Sequence, residues 1–115
     1  MARSDPAEAR IMSAYPLKDA PFLHKGAGIA DVAKGVIIQA ECVGGQIAIG
    51  TEFTVLIYTP HGGFAPEPDE VYPAKSVVRA MIRFNKKSPD VTFGAIVEFD
   101  SAENAALIGP GWSLG

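Results

Sequence analysis

Apolar and polar positions alternate with a period of two over much of this chain, in runs short enough to be strands. Glu52–Tyr58 (EFTVLIY) puts Phe53, Val55 and Ile57 on one side of an extended chain and Leu56 and Tyr58 on the other. Side chains alternate faces along a strand, so a run apolar on both faces predicts a strand covered above and below, with Val55 in the core. Val36–Val43 predicts a second strand, with Ile37 and Ile38 on opposite faces and Gln39 and Glu41 marking the wetter one. Lys75–Phe84 predicts a third, with Val78, Ala80, Ile82 and Phe84 on its apolar face. Lys75, Arg79 and Arg83 share its other face with Val77 and Met81. Asn85–Asp90 turns the chain, and Val91–Phe99 returns with Val91, Phe93, Ala95, Val97 and Phe99 facing inward. Shorter strands are expected around Ile29–Val32 and Gln46–Ile49. A Gly44-Gly45 hairpin turn precedes the latter, and a bulge at Gly50 follows it.

Two segments carry helix signals instead. Asp5-Pro6-Ala7-Glu8 combines an N-cap acceptor, a proline at the first helical position and a carboxylate three residues after the cap. This predicts a helix to about Ala14, stopped at Tyr15-Pro16, because the residue before a proline is pushed out of the α region. Asp100-Ser101-Ala102-Glu103 repeats the signal and predicts a helix over Ser101–Ile108, ended by Gly109-Pro110-Gly111. Pro16–Lys25 reads as an extended lead-in and Trp112–Gly115 as a free tail. The expected fold is mainly β: a small antiparallel β-barrel of about six strands with a short N-terminal and a short C-terminal helix. Residues 1–25 form the helix and extended arm, and residues 26–115 a single barrel domain.

Composition narrows the function classes. A length of 115 residues, 48% apolar and 20% charged, suits one domain with a modest core. The net charge of −3 gives no general attraction to nucleic acid or anionic membrane. Cys42, the only cysteine, excludes an intramolecular disulfide and fits a reducing compartment. No apolar run approaches the roughly 20 residues of a membrane helix. No apolar stretch follows Arg3, Asp5, Glu8 and Arg10 as a secretory signal requires. The expected location is cytoplasmic.

Catalytic chemistry is not written in the chain. His24, His61 and Cys42 have no metal-ligand spacing, and no nucleophile elbow, phosphate loop or dinucleotide fingerprint occurs. The reading is a non-enzymatic protein without a cofactor. Two features rise above background. Lys75, Arg79, Arg83, Lys86 and Lys87 form a basic segment in which Arg79 and Arg83 could contact an anion, unless Glu98 across the hairpin neutralises them. The long loop Thr59–Val71 is acidic and proline-rich, with Phe64 near its tip either anchoring a partner or folded back on the barrel. Phe64, with Tyr15 and Phe22 of the N-terminal segment, makes the expected partner-binding surface, for a protein partner or for self-association.

From Ile29 onward the order of elements resembles a PilZ domain, the small β-barrel that in many bacterial proteins receives cyclic di-GMP. The likeness rests on the turn and strand Asp31–Glu41 and on Gly50-Thr51-Glu52-Phe53 opening a strand that ends in a proline loop. It continues through the strand Val77-Val78-Arg79-Ala80, then Phe93–Phe99 and the helix after it. The family's ligand motifs do not carry over. Its paired arginines, RxxxR, would have to be Arg3 and Arg10, at the wrong spacing. Its second motif falls on Asp31–Val36, with Ala33 in place of serine and Val36 where the final glycine usually stands. Asp31, Ala33 and Gly35 are thus a degenerate turn motif. The resemblance implies a bacterial adaptor that does not bind cyclic di-GMP and works through protein contacts. The alternative is a small structural or decorating subunit of a larger assembly, for example a phage particle.

Overall fold

Residues 7–20, 28–58, 70–82 and 92–115 are described by the computed structural model. Strands β1 (Glu8–Pro16), β2 (Gly35–Gly44), β3 (Glu52–Tyr58), β4 (Glu70–Ile82), β5 (Thr92–Phe99) and β6 (Trp112–Leu114) close an antiparallel barrel. Their order around the wall is β1-β2-β5-β4-β3-β6. One short α-helix, α1 (Ala102–Leu107), lies between β5 and β6.

The expected N-terminal helix is not formed. Its segment is β1, which pairs with β2 from Glu8 opposite Gly44 to Pro16 opposite Val36. Ala9 and Ile11 fill the barrel while Arg10 faces out, opposite Glu41. So short a helix would be marginal in water, whereas the same residues as a strand gain a ladder and bury two apolar side chains. Met12 is the extra residue of a bulge and is turned to solvent.

Bulges also shift the phase of β3 and β4. The register slips between Phe53 and Val55, so Phe53 and Leu56 both point inward and are buried, while Val55 and Ile57 are only half-buried on the outside. Val55 is therefore not a core residue. A second slip between Val78 and Ala80 sends Val78 into the barrel and Ala80 with Ile82 to the outer wall, splitting the expected apolar face. The strands covered on both faces are β2, where Ile37 and Ile38 are both buried, and β5, where Ala95, Ile96 and Val97 all are.

Two apolar clusters result. Inside the barrel, Ala9, Ile11, Val36, Ile38, Phe53, Leu56, Val78, Val97, Phe99 and Leu114 pack together, with Ala105 of α1 and Ile108 closing one end. Outside, Leu17, Ile29, Ile37 and Ile96 form a second cluster, with Ala20, Ala80 and Ile82 against it. Leu17 begins a 3-10 turn after β1 and Val32–Lys34 forms another, while the strand expected around Ile29–Val32 is not formed.

The Gly44-Gly45 hairpin does not form either. Gly45 takes the positive φ, 64°, but residues 46–51 form an irregular crossover rather than a returning strand. Gly50 N–H donates to Val78 O at 2.8 Å and Val78 N–H to Thr51 O at 2.9 Å. The C-terminal residues are not a free tail: β6 bridges β1 and β3 and closes the barrel.

Candidate functional site

At the α1 end of the barrel the chain leaves a cleft of about 250 Å³. Its walls are Ala14, Tyr15 and Pro16 at the end of β1, Val32 and Ala33 of the second 3-10 turn, and Ala102, Ala105 and Ala106 of α1. Lys18, Gly35, Val36 and Ile108 complete it. Local chemistry sets each wall. Asp31 caps the 3-10 turn by accepting from Ala33 N–H at 3.0 Å, and Lys34 N–H donates to Asp31 O at 3.1 Å. Ser101 caps α1 by accepting from Asn104 N–H at 3.1 Å, the role expected of an N-cap hydroxyl. Asp100 ties that helix to β4, its N–H donating to Lys75 O at 2.9 Å. A hydrogen bond from Asn104 Nδ2, 2.8 Å from Asp100 Oδ1, leads the causes that hold the Asp100 carboxyl below its usual range.

The structure thus brings Tyr15, Ala33 and Gly35 to one cleft, although they were singled out for different reasons. Tyr15 stands on its rim, 61% exposed. Gly35 is extended rather than left-handed, so its need for glycine is one of space: a Cβ there would lie 2.5 Å from Leu17 Cδ2. Asp31 sits behind the cleft as a cap. Phe22, Phe64 and Arg83 lie outside the described residues, as does most of the Thr59–Val71 loop.

Arg79 occupies the β4 bulge on the outer wall, away from the cleft. Its Nη2 is 2.7 Å and its Nε 2.8 Å from Glu98 Oε1, so this guanidinium has a carboxylate partner within the fold. A second, larger groove of about 520 Å³ crosses β3, β4 and β5, bordered by Glu52, Lys75, Glu98 and Asp100. Among the described residues no group of three or more His, Cys, Asp or Glu could hold a metal ion. None of their helices is long and apolar enough to cross a membrane.

Sequence reasoning passed over two groups. The α1 alanines and Lys18 become cleft residues only through tertiary packing. Tyr58, Tyr72 and Trp112 form an aromatic cluster at the mouth of the barrel, with Trp112 5.0 Å from Tyr58 and 5.8 Å from Tyr72 between ring centroids. The Tyr72 hydroxyl donates to Glu70 Oε2 at 2.7 Å, the main reason its pKa is raised. No sequence signal joins Trp112 to the other two rings, because their contact depends on β6 closing the wall. No family model, curated protein or solved structure matches this chain.

Proposed function

We propose that this chain is a non-catalytic, PilZ-like β-barrel adaptor that acts by binding another protein and does not take cyclic di-GMP. The observation that carries the reading is the cleft beside the Asp31–Gly35 turn. Among the described residues Lys18 is its only charged lining residue, Ala33 supplies no side-chain donor, and the face of Gly35 is filled by Leu17. A nucleotide needs donors for its phosphates and base. An apolar side chain of a partner needs the small residues that line this cleft.

The experiment is a pair of titrations. Calorimetry with cyclic di-GMP shows no saturable heat. Ala106→Glu, which places a carboxylate on the exposed α1 wall of the cleft, lowers partner binding or self-association about tenfold or more, as a charge in an apolar contact does. Its thermal midpoint stays near that of the parent. Saturable nucleotide binding, or association indifferent to Ala106→Glu, overturns the reading.

The assembly-subunit alternative draws on a different observation. Met12, Val43 and Ile49 are exposed on other parts of the barrel, at 49%, 43% and 67%. A stable symmetric oligomer by light scattering, dissociated by charges at those positions and unaffected in the cleft, favours it over the adaptor.

A further inference from the structure

Among the described residues, one mouth of the barrel gathers three aromatic rings and a carboxylate. Tyr58 and Trp112 face each other across β3 and β6, and Tyr72 on β4 packs on the same tryptophan. Tyr72 remains 38% exposed, and its hydroxyl holds the Glu70 carboxylate beside the rings.

The adjoining backbone is just as one-sided. β5 pairs with β4 only from Ser76 onward. Over Glu70–Ala74, β4 therefore has β3 on one side and, among the described residues, no strand on the other. Val55 exchanges both backbone hydrogen bonds with Gly115 next to β6. Alternation along β3 then turns Leu56 and Tyr58 toward β4, and their partners Tyr72 and Glu70 back toward β3. Val71 and Pro73 consequently direct their backbone groups to the side with no described strand, and Pro73 has no N–H to offer. Such an edge is blunted against ordinary strand addition, which needs alternating donors and acceptors. What it displays is mostly acceptors.

Carbonyls, a carboxylate and aromatic faces together match one class of side chain. Guanidinium and ammonium groups are donors only, and both are drawn to the faces of Tyr and Trp. We propose that the open edge of β4 with Tyr58, Tyr72, Trp112 and Glu70 docks a basic, arginine- or lysine-bearing extended segment of a partner protein. Its cationic side chains lie over the rings and beside Glu70, while its backbone donates to the exposed carbonyls. The site shares no lining residue with the cleft beside Gly35 and does not depend on the adaptor reading of that cleft.

Trp112 is the only tryptophan in the chain, so its emission reports on this site directly. The full chain is titrated with an acetylated, amidated hexapeptide that alternates arginine and valine, and with the same peptide carrying glutamate for arginine. The arginine peptide changes Trp112 emission saturably, less so at high salt, and the glutamate peptide does not. Glu70→Gln, an exposed substitution that spares the fold, weakens binding about two- to fivefold. Tyr72→Leu weakens it about as much, two- to fivefold, through the lost ring face. No saturable change, an equal response to the glutamate peptide, or affinity unchanged in both variants overturns the proposal. A response abolished by Ala106→Glu yet indifferent to Glu70→Gln places the peptide in the cleft. That result overturns this site and leaves the adaptor reading standing.

Discussion

The cluster inside the barrel takes side chains from all six strands and from α1, so it exists only when the wall is closed. The cluster outside is a patch on β2 and β5, Ile37 and Ile96, roofed by Leu17 and Ile29 from the segment between β1 and β2. The two share the same strands back to back. The inner cluster follows alternation between the bulges, because every second residue of a regular barrel wall points inward. The outer one breaks alternation: Ile37 and Ile96 face away from the barrel and are nevertheless buried, at 8% and 2% exposure. Outward apolar residues here are evidence of a covering segment rather than of a partner.

The sharpest way to break this comparison is to put a charge on each face of β3 just past its bulge. Leu56→Asp buries an unpaired carboxylate and removes cooperative folding, a loss comparable with a whole domain's stability of about 5–15 kcal/mol. Val55→Asp, one residue away but outside, costs about 1–2 kcal/mol. Circular dichroism and urea midpoints separate the two, and equal loss from both would mean that the bulge does not set the phase.

Next in size, Leu17→Ala removes the centre of the outer cluster and costs about 2–4 kcal/mol in urea titration. If it melts only the covering segment, with the barrel's far-ultraviolet spectrum intact, the outer cluster is a separable layer. Gly35→Ala drives a methyl against Leu17 and costs about 1–3 kcal/mol. The double variant with Leu17→Ala recovers part of that loss, because the closest contact, with Leu17 Cδ2, has gone while that with Cβ at 3.0 Å remains; strict additivity would refute the close approach.

Smaller effects probe the inner cluster and its cap. Ser76 is its polar exception, 5% exposed with an Oγ that has no hydrogen-bond partner among the described residues. Ser76→Ala therefore leaves stability unchanged or raises it by up to about 1 kcal/mol, since an unpaired buried hydroxyl is a cost. A clear loss would reveal a partner for that oxygen. Asn104→Ala has the least effect. The Asp100 carboxyl sits below its ordinary value of 3.8 in the fold, so its contribution is present above that pH and is lost as pH falls through the lower folded value. Removing Asn104, the main cause, moves the carboxyl back up. The acid limb of stability against pH becomes shallower, as urea midpoints across acidic pH would show.

Much of the barrel was legible because alternation is a local property. Ile37 and Ile38 on opposite faces, the inward row Ala95, Val97 and Phe99, and a short helix after Phe99 are each written in a few neighbouring residues, although the helix cap is Ser101 rather than Asp100. The paired Arg79 and Glu98 belong to one hairpin, so their meeting could be anticipated as well.

The rest was decided by contacts distant in the chain. Glu8–Pro16 carries helix formers, and only the β2 ladder beside it makes it a strand. Trp112–Leu114 has three residues and no strand signature of its own; it becomes β6 because β1 and β3 leave a gap of its width. The bulges at Phe53/Val55 and Val78/Ala80 are set by strand curvature and by what each residue meets across the wall. The cleft arises the same way, from Tyr15, Ala33 and Ala106 brought together by barrel closure. Local sequence chooses which face of a strand is apolar. Long-range closure decides where that face points, because a single extra residue reverses every side chain after it.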